Sequence, residues 1–208
     1  AVSRQANDRW QEAISLRRLA AVYNYQRRYD EALSLTETAL RLHQALGDRA
    51  SESYALGNLG EILCHLRRPD DAERYLRQAL EIAETIGTAL AIDTAVTQMI
   101  GYLYLPQARY EAGLTFLNEQ MTKPHGQQDP LVRLLCLKHQ ARLLIHLGAF
   151  HEALALNIVK QRLAQASYLG AIQIHNLSCL AFIQGELGAF GPAQAAADQI
   201  EALLDAAP

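Results

Sequence analysis

Four residues capable of chemistry crowd into one stretch of this 208-residue chain: Lys138, His139, Arg142 and His146. Their i, i+3 and i+7 spacing sets His139, Arg142 and His146 on one face of a helix. A zinc centre would need three or four ligands in tetrahedral array. Residues seven apart on a helix stand about 10.5 Å apart along its axis, too far for His139 and His146 to share one ion. No metal is expected. Lys138 and Arg142, one turn apart, suit a different task, the clamping of a carboxylate, a phosphate or an acidic peptide; two cations facing water are the alternative. Cys64, Cys136 and Cys179 are odd in number and far apart, so they read as reduced, packed thiols of an intracellular, cytoplasmic protein. The chain contains no glycine-rich phosphate loop, GxSxG, HExxH or CxxC, so neither catalysis nor a cofactor is expected.

Charge and composition narrow the field further. Nineteen Lys+Arg against 22 Asp+Glu give a formal net charge of −3, which supplies no basic field for nucleic acid. Arg17-Arg18, Arg27-Arg28 and Arg67-Arg68 are interleaved with Asp30, Glu31, Asp70 and Asp71 and read as solvated turns with local ion pairs. No apolar run is long enough for a membrane span. Half the residues are hydrophobic, ample for a buried core. The chain opens on Ala1 rather than Met, as expected of a processed product or a piece of a longer protein.

The elements that must position these residues come from a repeat. "LAAVYNYQRRYDEALSLTETAL" (19–40) overlays "LGEILCHLRRPDDAERYLRQAL" (59–80) at an offset of 40, and further copies follow at offsets of 41, 40 and 40. One register position reads Tyr29, Pro69, Tyr110, Phe150 and Phe190, and three residues later it reads Ala32, Ala72, Gly113, Ala153 and Ala193. A second small position reads Ala20, Gly60, Gly101, Ala141 and Ala181. Apolar spacing at i, i+3/i+4 and i+7 makes each copy two helices. Glycines at 47, 87, 148 and 188 suit left-handed C-terminal caps, and Asp129-Pro130 suits a helix start. Ten helices of about 14–18 residues are expected, in repeats spanning about 10–48, 49–88, 89–125, 128–168 and 169–207 of a single domain. One pair cannot bury its apolar face alone, so the copies must stack.

A small residue with an aromatic three on (Ala20 and Tyr23, Gly101 and Tyr104), followed by aromatic-x-x-Ala, resembles the tetratricopeptide repeat over residues from about 10 to 205. The 40-residue length and "LGDRASESYALGNLGEIL" (46–63) are similar to the long repeats of kinesin light chains and bacterial signalling proteins. The Trp usual in that subgroup is replaced by Leu16, Leu56, Thr97, Leu137 and Leu177. HEAT and armadillo pairs are the fold alternatives, and the aromatic-x-x-Ala phase speaks against them. The resemblance implies an all-α, right-handed superhelical solenoid of five antiparallel helix pairs with a concave groove. Carried over by position, the groove takes Ile14, Arg17, Ala21, Asn24 and Tyr25 from copy one, and Tyr54, Asn58, Glu61 and His65 from copy two. It takes Gln98, Tyr102 and Leu105 from copy three, and Lys138, His139, Arg142 and His146 from copy four. Copy five adds His175, Ser178, Phe182 and Glu186.

The function this implies is non-catalytic binding of a protein or peptide segment, as the sensor or assembly arm of a bacterial regulator. A sensor for a sugar or signalling peptide is one alternative. A homo-oligomeric scaffold, with a homodimer formed through the Ala- and Leu-rich last helix around Leu203, is another. Copy three departs from the pattern with Pro106, Gly113 and the polar connector "TKPHGQQDP" (122–130). That connector is a longer turn or a hinge between 1–121 and 129–208.

Overall fold

The computed structural model describes the backbone of residues 2–166 and 170–205, with side-chain burial for most of them outside 1–6, 161–176 and 200–208. The described residues are helical, without a strand. The helices are α1 (Val2–Tyr25), α2 (Tyr29–Leu46), α3 (Arg49–His65), α4 (Pro69–Ile86), α5 (Ala89–Gln98), α6 (Tyr110–Thr122), α7 (Pro124–Gln128), α8 (Pro130–His146), α9 (Phe150–Ala166), α10 (Gly170–Glu186) and α11 (Phe190–Asp205). The chain forms two compact units, Ala1–Arg109 and Tyr110–Pro208.

In the first unit α1 packs on α2, α2 on α3, α3 on α4 and α4 on α5. Leu40, Ala55, Leu56, Leu59, Ala79 and Ile82 close the core between copies one and two, with Leu33, Tyr75 and Ile86 at its margin. In the second unit α8 packs on α6 and α9, and α10 on α9 and α11. The repeat's small residues do what their size allows. Ala32, Ala72 and Ala153 have no exposed surface, and Gly60 lies so close to Leu76 that an added Cβ would sit 2.5 Å from its Cγ.

Local chemistry sets the boundaries. Gly47, Gly87, Gly148 and Gly188 all have φ between 68° and 74°, the left-handed cap expected of them. Asp48, Thr88 and Asp129 accept backbone N–H groups at the starts of α3, α5 and α8, from Ser51 (3.1 Å), Ala91 (3.3 Å) and Leu131 (2.8 Å). The polar connector holds an eleventh helix beyond the ten expected. Pro124 begins α7, and buried Gly126 brings its backbone against Gln120 and Met121, an approach that any side chain would block.

A second departure lies in copy three. Met99–Tyr104 is a π-helical segment continuing α5, with Leu105 N–H donating to Ile100 C=O (3.0 Å). One extra residue enters there, which is the physical content of the 41-residue offset. Copy two buries Leu59 at the corresponding place, whereas copy three buries both Met99 and Ile100. Pro106 has no N–H to give to the preceding turn, and the freed carbonyl of Tyr102 is met by the Cys64 thiol at 2.9 Å. Burial, aided by Glu61, pushes the Cys64 pKa up to about 11, which keeps the proton needed for this bond.

His43 of α2 has no exposed surface and neither ring nitrogen has a hydrogen-bond partner among the described residues; Asp48 Oδ2 stands 3.6 Å from Nδ1. Burial pushes its pKa below the ordinary 6.5, with Asp48 opposing the shift and Arg17 reinforcing it. The unfolded chain then binds a proton near pH 6.5 that the native ring refuses, so stability is lost as pH falls below that value. Thermal melts at pH 7.5 and 5.5 should show a lower midpoint in acid, and His43→Leu should shrink the difference. An equal acid loss in both proteins would show that His43 is not its cause.

Candidate functional site

Three successive first helices of the first unit, α1, α3 and α5 with its π-helical extension, bring their polar side chains to one cluster. At its centre is Glu61 of α3. Asn24 Nδ2 of α1 donates to Glu61 Oε1 at 2.9 Å, and His65 Nε2, one turn on, stands 4.0 Å from the same oxygen. The Tyr102 hydroxyl donates to Glu61 from the π-helical segment; burial, then Glu61, raises the Tyr102 pKa well above 10, so the phenol keeps its proton. On the other flank the Arg17 guanidinium lies 4.9 Å over the Tyr54 ring, a contact worth about 0.5–1 kcal/mol at an accessible site. Arg17 Nε is buried without an acceptor among the described residues.

A cleft of about 170 Å³ opens between these groups, lined by Ala21, Asn24, Tyr54, Asn58 and Glu61 among others. A wider one of about 610 Å³ adjoins it, with Tyr25, Arg27, Tyr29 and His65 in its wall. The Tyr29 ring stacks on His65 at 4.9 Å and 13°. In the second unit the equivalent rings, Tyr110 and His146, stack at 5.5 Å and 19°. In copies one and three the tyrosine that starts the second helix thus covers the end of the next first helix.

Seven residues read from the sequence, Arg17, Asn24, Tyr54, Asn58, Glu61, His65 and Tyr102, are therefore neighbours across copies one to three. Gln98 is not displayed with them: it is buried, its carboxamide pressed against the backbone of Gly57. In the second unit the shared face of His139, Arg142 and His146 divides. His139 turns into the core at 3% exposure while Arg142 and His146 stay exposed and Lys138 is half-buried. Phe182 is exposed on α10. His175, Ser178 and Leu203 lie outside the residues whose side chains are described. Among the described residues no group of His, Cys, Asp or Glu could hold a metal ion, and no helix is long and apolar enough to cross a membrane.

The arginine pairs carry a signal that the sequence reading missed. The second member of each turn pair is spoken for: Arg28 binds Glu31 (2.8 Å) and Arg68 binds Asp71 (2.6 Å). The first members, Arg27 and Arg67, sit at φ 61° and 60°. This is the register position that Ala108 fills in copy three and Gly148 and Gly188 fill in copies four and five. Aligning the turns rather than the helices would have exposed it.

Residues 11–85 match the sequence profile of the family described as tetratricopeptide repeat. No curated protein matches the chain. Among solved structures, a signal transduction ATPase with numerous domains and a tetratricopeptide repeat sensor, from Pyrococcus horikoshii, superposes at TM-score 0.66 and 17% identity, covering 92% of this chain. This chain spans 29% of that protein. A putative kinesin light chain of Podosopora anserina with nearly identical tetratricopeptide-like repeats follows at TM-score 0.62 and 16% identity, covering 91% of this chain and 92% of its own. BtubC of P. vanneervenii gives 0.59 and 16%, with coverages of 99% and 92%.

Proposed function

From the premise of an all-α solenoid of tetratricopeptide-type helix pairs, we propose that this chain is a non-catalytic interaction module that holds a protein or peptide segment on the first-helix face of its first unit. The observation that carries this reading is the convergence of Asn24, Glu61, His65 and Tyr102 from three copies beside accessible clefts. Core packing alone gives no reason for polar groups 37 and 41 residues apart in sequence to meet. Aromatic rings and a guanidinium at such a face are typical anchors of interfaces.

Tyr102→Ala should weaken capture of the natural partner by about tenfold or more while leaving helicity intact, because it removes a ring and the hydroxyl on Glu61. Gentle purification from the protein's own cells followed by native mass spectrometry reads this directly. Capture unchanged in Tyr102→Ala would remove this face from the account. The tetratricopeptide repeat sensor of the Pyrococcus protein favours a second reading, in which this chain is the sensing part of a larger regulator. A discrete bound species of small mass in the same spectrum would support it.

A further inference from the structure

We infer that the first unit carries an acidic-peptide site built on Arg27 and Arg67, which deepens the proposed interaction role and rests on it. Both residues occupy the left-handed region, where a side chain is disfavoured and glycine is not, and the same turn is closed by glycine in copies four and five. Neither guanidinium has a hydrogen-bond or ion-pair partner among the described residues, while the adjoining Arg28 and Arg68 are paired within their own turns. The turn therefore does not need these two cations for its own structure. Copy three has Ala108 at this position, so the strain is tolerated without a functional side chain there; at Arg27 and Arg67 it comes with an unpaired guanidinium beside a cleft, the setting in which strained positions cluster at ligand sites.

What they face fits an anion with a carbon stem. Arg27 lines the cleft of about 610 Å³ beside Tyr25, Tyr29 and His65. Arg67 lines another of about 460 Å³ beside Tyr102, Pro69 and Pro106. Copies one and two thus each offer one free guanidinium fork, which matches a carboxylate in two hydrogen bonds, next to aromatic or proline surface for the methylenes of Asp or Glu. Glu61, the acid of the first cleft, is already held by Asn24 and Tyr102. The occupant is an extended acidic segment that spans two copies, with one carboxylate for each arginine. The net charge of −3 gives no general attraction for polyanions, so binding would be local to these clefts.

The test uses fluorescein-labelled octaglutamate and an eight-residue oligothymidylate, followed by anisotropy at about 50 and 300 mM NaCl, where surface ion pairs are screened to different extents. Octaglutamate should bind and weaken with salt. The double variant R27G/R67G should lose at least about tenfold in affinity, while its melting temperature holds or rises, since glycine is native at the equivalent turns. Arg41→Gln, which removes an exposed cation bonded to Thr38, should bind as wild type. Equal affinity in wild type and R27G/R67G, or tighter binding of the oligothymidylate, overturns the inference. If the natural partner is lost in Tyr102→Ala yet kept by R27G/R67G, the acidic site falls and the first-helix face stands.

Discussion

Lys160→Met should raise the stability of the chain by about 3 kcal/mol at pH 7. Lys160 lies on α9 with no exposed surface, and its ammonium has no hydrogen-bond partner among the described residues. Burial, against a raising influence from Cys179 and with a lowering one from Lys138, pulls its pKa down to about 8 from 10.5. Each pKa unit is worth about 1.36 kcal/mol, so holding the charge there costs the native state about 3 kcal/mol wherever both states are protonated. Methionine keeps the length of the stem and deletes the buried charge; even replacement of a buried ion pair by apolar residues of similar volume is often neutral or stabilising by about 1–4 kcal/mol. The pH dependence gives an independent sign. Between about pH 8 and 10.4 the unfolded chain holds the proton that the native state has released, so wild-type stability rises with pH across that window. Urea titrations at pH 7 and 9.5 should show the gain from Lys160→Met shrinking at the higher pH. A variant less stable than wild type at pH 7 would mean that the ammonium has a compensating partner in solution.

The second large effect is opposite in sign. Gly60→Val should cost about 2–3 kcal/mol, and Gly101→Ala, at the matching position of the next copy, should gain about 0.5–1. On α3 a Cβ at residue 60 would stand 2.5 and 2.7 Å from Leu76 Cγ and Cδ2 and 3.3 Å from the Ala72 carbonyl oxygen. Leu76 has no exposed surface into which to retreat. Overpacking of this kind costs about 1–3 kcal/mol, and the β-branch adds χ1 restriction in a helix. At Gly101 nothing lies within 4 Å of a built Cβ, leaving only the favourable change in helix propensity. Urea midpoints of the two variants check the contrast, and a shared sign would show that the two glycines face like environments.

Phase made most of the fold legible. Large and small residues recurring at 40 define helix pairs without reference to any contact, and the capping glycines end the helices as expected of them. The same phase also contains Lys160, which aligns with Ala39, Ala79 and Gln120; all four are buried. A register table weighted by polarity would have singled it out. The cluster on Glu61 was legible only as a set of positions. That Asn24, Glu61 and Tyr102 touch depends on the stacking distance between copies, which no spacing along one helix encodes. The inward turn of His139 was hidden because a single helix can show two buried faces when helices pack on both sides of it. Arg27 and Arg67 were passed over for a different reason: a charged turn looks solvated until its φ is known.

Length differences between copies of a repeat are ordinarily taken up in loops, where nothing downstream is re-aimed. Here the odd residue is stored inside a helix, between Met99 and Tyr104. Recombination among copies is constrained by it. Two crossovers on the same side of the segment exchange forty residues for forty and preserve phase. A pair that straddles it gains or loses one residue, and without the wide turn to absorb it every side chain to the end of that helix swings by about 100°. Tyr102 would then leave Glu61, so the first helix of the third copy is the one that cannot be traded for its counterparts in copies one and two without moving the site.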